Sequence, residues 1–308
     1  MYPMKRFVPI LTILLTSAAW AAQQYRATGM VMSVDRAHRS FVVSCKEIPG
    51  FMSAMMMPLN VHEANELDGL TPGTVIEFTL LVDQNSSYAK GIHIHLYQSA
   101  EQDPWRARQL TFLSTLGNNG NGPKLLAIGQ KVPDFTLIDQ ERRTISLSQF
   151  AGKVVALNFV YTSCALPNFC YRIANNFGVV QRHFKDQMGG SLVLLTVTFD
   201  PQRDQPEVLA KYAQQWKADP KTWHFLTGAV PDVQRVTDMF GMEFFPDEGL
   251  MYHSLHTAVI DREGKLVANI EGNQFTAEQL SDLIQTVLDR APAKPQSAHV
   301  AHTAPPKS

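Results

Sequence analysis

Two cysteines, Cys164 and Cys170, lie in the segment 159–170, directly after an apolar run that reads as a buried strand. Far downstream, the segment 251–256 carries His253 and His256. Two thiolates and one imidazole form a soft, incomplete donor set, which suits copper held for transfer better than a metal held for structure. A strand-to-helix turn also aims backbone N–H groups and a helix dipole at its thiols, which predicts lowered thiol pKa values there. The same pair could instead act as a redox couple, with Cys164 attacking a disulfide and Cys170 resolving the mixed species. A second soft cluster stands near the N-terminus. Met52, Met55, Met56 and Met57 fall within six residues, shortly after Cys45. In an extended chain Met55 and Met57 share one face, and thioethers stay neutral at every pH. Four such residues crowd more closely than gap-filling in a core requires.

The elements that must position these groups fall into two sets. Short alternating stretches at 25–34, 40–45, 75–82 and 91–97 predict a small all-β barrel or sandwich. From about residue 133 to 291 strands and helices alternate, which predicts an α/β domain with a sheet covered on both faces. The strands are expected at 154–161, 191–199, 223–226, 257–261 and 265–271, and the helices at 169–184, 206–216, 233–240 and 276–288. Between the two sets, Asp103-Pro104 reads as a helix start, and the Gly/Asn-rich stretch 117–123 reads as a flexible break.

The chain has 308 residues, enough for two domains, and 45% of them are hydrophobic. Its formal net charge of −1 gives no basic surface for nucleic acid. Three cysteines are too few for a disulfide-stapled scaffold. Lys5 and Arg6, an apolar stretch from Phe7 to Thr16 and Ala19-Trp20-Ala21 read as a cleaved secretory signal. The expected location is therefore a bacterial periplasm, an oxidising compartment where a close cysteine pair is a disulfide, a redox couple or a metal site. The Pro- and Ala-rich tail is expected to be disordered.

The segments 132–135, 158–162, 198–204, 225–228 and 260–264, taken with the two cysteines and His253, resemble the Sco/SenC family of thioredoxin-like copper proteins. The resemblance implies a copper site of Cys164, Cys170 and His253. It also implies delivery to the copper-bearing subunit of a cytochrome oxidase or another copper acceptor, with a thiol reductant protein as a second partner. The family's cysteines ordinarily have three residues between them; here five intervene, and Ala165 replaces the usual proline after the first. In the family the histidine ligand lies eleven residues before the glycine of the last hairpin, and Gly264 minus eleven selects His253 over His256. A redox thioredoxin would carry a proline near Leu255, and none lies between Pro246 and Pro292. That resembles a metallochaperone more than an enzyme. Asp200 belongs to a recurrent acidic motif of the family and is a candidate for a supporting or docking role, whereas Asp204, before Gln205-Pro206, reads as a helix cap.

The segment from Gly29 to Pro58 resembles the CusF-like family of small OB-like barrels that bind Cu(I). The resemblance implies a second copper site at Met55 and Met57. Cys45 stands where the family has histidine and is an even softer ligand there, and Met52 takes the place of the family's capping aromatic or is a ligand itself. Met30, Met32, His93 and His95 are further possible donors, the two histidines on a solvent-facing side.

The expected organisation is a signal peptide at 1–21 and a CusF-like barrel at 22–100. A helix and linker follow at 101–128, then a thioredoxin-like domain at 129–291 and a tail at 292–308. The expected cargo is copper, as Cu(I) and in a second state Cu(II). The expected role is copper delivery for oxidase assembly. The alternatives are thiol–disulfide exchange on the oxidase's cysteines, or copper sequestration.

Overall fold

The computed structural model describes residues 23–83, 86–95, 125–164, 167–247 and 250–290. The expected signal peptide, the helix begun at Asp103-Pro104, the 117–123 break and the tail lie outside these residues.

The N-terminal unit is a closed five-stranded barrel. Its strands are β1 (Gln23–Asp35), β2 (Ser40–Cys45), β3 (Met55–Val61), β4 (Val75–Val82) and β5 (Ser87–Ile94), in the order β1-β2-β3-β5-β4. All pairs are antiparallel except β3 with β5, and β4 closes on β1. Closure removes every free sheet edge. Strand β3 is the methionine segment itself, which sequence patterning left as merely extended. Its inward positions hold Leu59 and Val61, but its first half is too exposed to show a buried alternation.

Strand β1 is buried on both faces, which is how the barrel joins the rest of the chain. Ala27 and Val31 point into the barrel core, while Met30 and Met32, both 0% exposed, join Val75 in the core of the second domain. Met30 and Met32 are therefore packing residues, not further metal donors. Burying each of these side chains contributes about 1.5–3 kcal/mol.

The second domain is a seven-stranded mixed sheet. Its strands are β6 (Thr136–Asp139), β7 (Thr144–Ser146), β8 (Val154–Val160), β9 (Leu192–Thr198), β10 (Trp223–Thr227), β13 (His256–Ile260) and β14 (Leu266–Glu271). The order is β14-β13-β8-β9-β10-β6-β7. Strands β8, β9 and β10 are parallel, and every residue of the three is buried. Such runs show no alternation because helices cover both faces. The helices are α1 (Arg172–His183), α2 (Pro206–Gln215), α3 (Val230–Met239) and α4 (Ala277–Leu288). A separate hairpin, β11 (Phe244–Asp247) and β12 (Leu250–His253), projects from the sheet.

Helix α4 forms the seam with the barrel. Thr276 and Gln279 make a reciprocal capping box at its start. The other end of the Gln279 amide donates to the Ser44 carbonyl at 3.0 Å, and the Ser44 hydroxyl donates to Asp282 at 2.6 Å. Lys46 Nζ donates to the Gln274 carbonyl at 3.1 Å. Burial and the nearby Arg172 guanidinium both lower the Lys46 pKa. Gly73, at φ +87°, lets the barrel approach Ala268 and Ile270 of β14 more closely than any side chain would.

Candidate metal centre

Strand β8 delivers Tyr161 to Cys164 to the end of the sheet, and each residue there is fixed by a different partner. The Cys164 N–H donates to the Tyr161 carbonyl at 3.3 Å. Arg203 donates to the Ser163 hydroxyl at 2.8 Å. Thr162 donates twice to Asp204, through its N–H at 3.0 Å and its hydroxyl at 2.5 Å. Asp204 is 0% exposed and accepts a third bond from the Thr198 hydroxyl at 2.6 Å. It is not a cap, because Gln205 holds the cap position of α2. Burial raises the Asp204 pKa against the opposing pull of these hydrogen bonds. The backbone of Asp200 joins this cluster, its N–H donating to the Thr198 hydroxyl at 3.0 Å and its carbonyl accepting from the Asp204 N–H at 2.9 Å, while its carboxylate lies 3.8 Å from Arg203, which donates to Ser163 in the cysteine turn.

The chain then enters a π-helical turn, Pro167–Tyr171, with Phe169 in a non-helical conformation, before α1 begins at Arg172. The helix expected from Phe169 thus starts three residues later. The turn carries Cys170 inward until it is 1% exposed. Burial pushes this thiol well above its ordinary pKa, and the Cys164 thiol beside it adds to the rise. The lowered thiol pKa expected from the helix dipole is overturned at Cys170, because desolvation outweighs a dipole whose end is already occupied by the preceding turn.

His253 arrives from the opposite side on β12, where it pairs with Phe244 of β11. Its ring lies edge-on to Tyr161 and Phe169, with centroids 5.5 and 6.0 Å away, and 4.8 Å from Phe199. Its Nδ1 lies 2.8 Å from the Ser254 carbonyl. A carbonyl only accepts, so Nδ1 carries the proton and Nε2 keeps its lone pair. That Nε2 faces Cys170 Sγ at 3.9 Å.

The donor atoms of Cys164, Cys170 and His253 all lie within 4.8 Å of one another. Three donors each about 2.0–2.3 Å from one ion lie about 3.5–4.0 Å from one another in a trigonal arrangement. The Cys170–His253 pair, at 3.9 Å, already meets that spacing, and the full set closes around an ion with shifts of up to about 1 Å. No disulfide joins any of the three cysteines. His256, by contrast, is buried beside Asn269 at 3.2 Å, and burial lowers its pKa to about 4.

The barrel residues are arranged as follows. Cys45 lies opposite Met55, and Val43 lies opposite Met57, so Cys45, Met55 and Met57 share the inward side of the β2–β3 ladder. Met57 and Met52 pack partly against the barrel core, while Met55 is 51% exposed at its rim. Met56 faces outward, its sulfur 3.9 Å from the Thr286 hydroxyl of α4. Burial pushes the Cys45 thiol up to about 12. Beside Met52, Phe51 stacks on Tyr25 with centroids 3.8 Å apart, placing an aromatic pair near the methionines that the sequence reading did not assign. His93 pairs with Glu77 across the β4–β5 ladder and is exposed, and His95 is half-buried.

Comparison with known proteins agrees with this division. The family model for SCO1/SenC matches residues 127–289, and that for the copper binding periplasmic protein CusF matches residues 24–92. The chain belongs to the SCO1/SenC family, a family of copper-binding proteins, and carries a CusF-like domain ahead of the family's thioredoxin-like fold. A SCO2-like protein of Rickettsia typhi is 30% identical over 141 residues, covering 43% of this chain and 66% of its own length. Protein sco1 of Schizosaccharomyces pombe is 26% identical over 158 residues, covering 49% and 58%. The SCO1 protein homolog of Bacillus subtilis is 23% identical over 156 residues, covering 48% and 78%. Among solved structures, Arabidopsis thaliana ScoI with copper bound is 22% identical with a TM-score of 0.46, covering 53% of this chain and all of its own.

Proposed function

We propose that the chain is a periplasmic copper carrier that takes up Cu(I) at its barrel and holds copper at Cys164, Cys170 and His253 for delivery. The observation that carries this reading is the convergence of two thiols and one imidazole Nε2 within 4.8 Å, with the imidazole tautomer already fixed. Uptake releases the thiol protons, since a thiolate is the ligand. The Ser254 carbonyl at Nδ1 leaves Nε2 as the ring atom that would meet the metal. The aromatic rings around His253 fix its plane and restrict water. Three donors leave a coordination position open, through which an acceptor's cysteine can enter and copper can leave by ligand exchange. The acceptor most consistent with the family is the copper-bearing subunit of a cytochrome oxidase. In the barrel, Met55 and Met57 supply neutral soft donors, with Cys45 and Met52 completing the set. The N-terminal segment with Lys5, Arg6 and Ala19 to Ala21 supports export, and no helix among the described residues is long and apolar enough to cross a membrane.

The test is a copper titration of the full reduced chain in which Met55→Leu and Met57→Leu silence the barrel. Stoichiometry is followed against a competing chelator, and the thiolate-to-Cu(II) absorption band is recorded. One tight equivalent is expected, weakened about a hundredfold or more by His253→Ala. Binding indifferent to His253, combined with reduction of a target disulfide, would move the protein to the thiol–disulfide oxidoreductases.

A further inference from the structure

The turn 272–276, between β14 and α4, bonds to chain segments next to both candidate sites. At its start, the Gly272 N–H donates to the Leu255 carbonyl at 2.8 Å, two residues after His253. Next, the Asn273 side chain donates to the Asn168 carbonyl, in the loop between the two cysteines. Asn273 is 4% exposed, so this bond is made away from competing water. Then the Gln274 carbonyl accepts from Lys46, the residue after Cys45. The residue before Cys45 is held as well, by Gln279 and Asp282 at the start of α4.

The cysteine loop needs such support. With five residues between its thiols it is longer than the family's ordinary loop, and a longer loop has more conformations to lose on closing around an ion. It contains a π-helical turn with one non-helical residue, so its own backbone ladder does not fix it. Among the described hydrogen bonds, the Asn273 amide is the side-chain bond that ties the loop carbonyl at Asn168 to the rest of the domain.

We infer that Lys46 and Asn273 are positioning residues through which the barrel holds the cysteine loop in its metal-ready shape, so that occupancy of either site tightens the other. This rests on the copper reading of both sites. A metal at the barrel orders the end of β2 at Cys45 and Lys46 directly after it. That order passes through Gln274 and Asn273 to Asn168, leaving less freedom to be lost when the second site fills. By linkage the effect is the same in both directions.

The experiment is a Cu(I) titration of the full chain against a competing chelator, with a separate Cu(II) titration, followed by the thiolate-to-Cu(II) absorption band, as a second readout. Lys46→Met and Asn273→Ala touch none of the three donors of the C-terminal site. Each is expected to weaken that site by about three- to tenfold and to shift the band. The double variant is expected to be no weaker than either single variant, since both cut one connection. Lys46→Arg, which still donates to Gln274, should restore the wild-type value and shows that the loss is not misfolding. In the unaltered chain, filling the barrel first should tighten the second equivalent by a similar factor compared with the Met55→Leu, Met57→Leu chain. If the single variants stay within twofold, or their effects multiply in the double variant, the strut is refuted. Failure of the copper reading itself is a separate result, namely indifference to His253→Ala.

Discussion

Asp204 should be the residue whose loss damages the cysteine turn most without touching a donor atom. Replacing it with alanine removes the acceptor of three donors, the Thr162 N–H, the Thr162 hydroxyl and the Thr198 hydroxyl. The Thr198 hydroxyl is fully buried and donates to Asp204 at 2.6 Å, so losing that acceptor leaves its O–H away from water. The Thr162 N–H is half-buried. An orphaned buried donor costs about 1–3 kcal/mol, with Thr162 at the lower end because water can reach it. Alanine also removes a buried carboxylate whose raised pKa reports an unfavourable environment, which returns part of the loss. The net expectation for Asp204→Ala is about 2–4 kcal/mol of lost stability, or roughly 6–12 °C in melting temperature for a loss of about 3 kcal/mol. Asp204→Asn should behave differently. An amide oxygen in place of Oδ2 still accepts from Thr162 N–H and Thr198, and the amide N–H faces the Thr162 hydroxyl, which can rotate from donor to acceptor. All three contacts survive, so the cost should stay below about 1 kcal/mol. Urea unfolding at neutral pH, with both variants in parallel, measures this. Equal losses in the two variants, or a loss under about 0.5 kcal/mol in Asp204→Ala, would refute the assignment of Asp204 as the anchor.

Two further predictions concern stability away from the donors. His256 has a folded pKa of about 4, below the ordinary 6.5, so its contribution is complete above pH 6.5 and is lost as pH falls toward 4. The loss should reach about 3 kcal/mol relative to His256→Gln, which keeps a partner for Asn269 but does not titrate; parallel stability–pH curves for the two proteins would rule this out. At the domain seam, Gly73→Ala places a methyl 2.9 Å from Ile270 Cγ1 and 3.0 Å from the Ala268 methyl at φ +87°. Overpacking and the positive φ together should lower full-chain stability by about 1–3 kcal/mol, and an unchanged unfolding midpoint would show that the two domains do not meet at this glycine.

How far the molecule could be read from its residues depended on the reach of the physical signal. The parallel strands β8, β9 and β10 were legible because burial on both faces writes continuous apolar runs such as Val154–Val160 and Leu192–Thr198. The donor triad was legible from residue type plus family spacing, and the geometry brings Cys164, Cys170 and His253 together as that spacing implied. The hairpin that carries His253 was not, because its Phe and Tyr residues show no clean alternation, although the Asp247-Glu248-Gly249 stretch between them is a turn signal that could have marked it. Asp204 was misread because an aspartate before a helix-starting proline usually caps. Its true partners, Thr162 two residues past the end of β8 and Thr198 at the end of β9, are brought together by a strand adjacency that only the sheet order reveals.

Least visible was the seam. Met30 and Met32 on β1 were weighed as soft donors because methionine chemistry is local information, whereas burial against a second domain is not. The alternation of β1 nonetheless contained the clue. A barrel strand with Ala27 and Val31 on one face should show polar residues on the other, and it shows Met30 and Met32 instead. A small barrel standing alone would expose both to water, so their presence implies a covering surface. Helix α4 packs on β1, and β14 meets the barrel at Gly73; α4 begins and β14 ends at the turn carrying Asn273. The residues that fasten the domains together are thus continuous with those that hold the cysteine loop. Separating the barrel would do more than remove a second copper site. It would expose two methionines, release the Gln274 carbonyl from Lys46 and leave Asn273 as the remaining side-chain tie on the loop between Cys164 and Cys170.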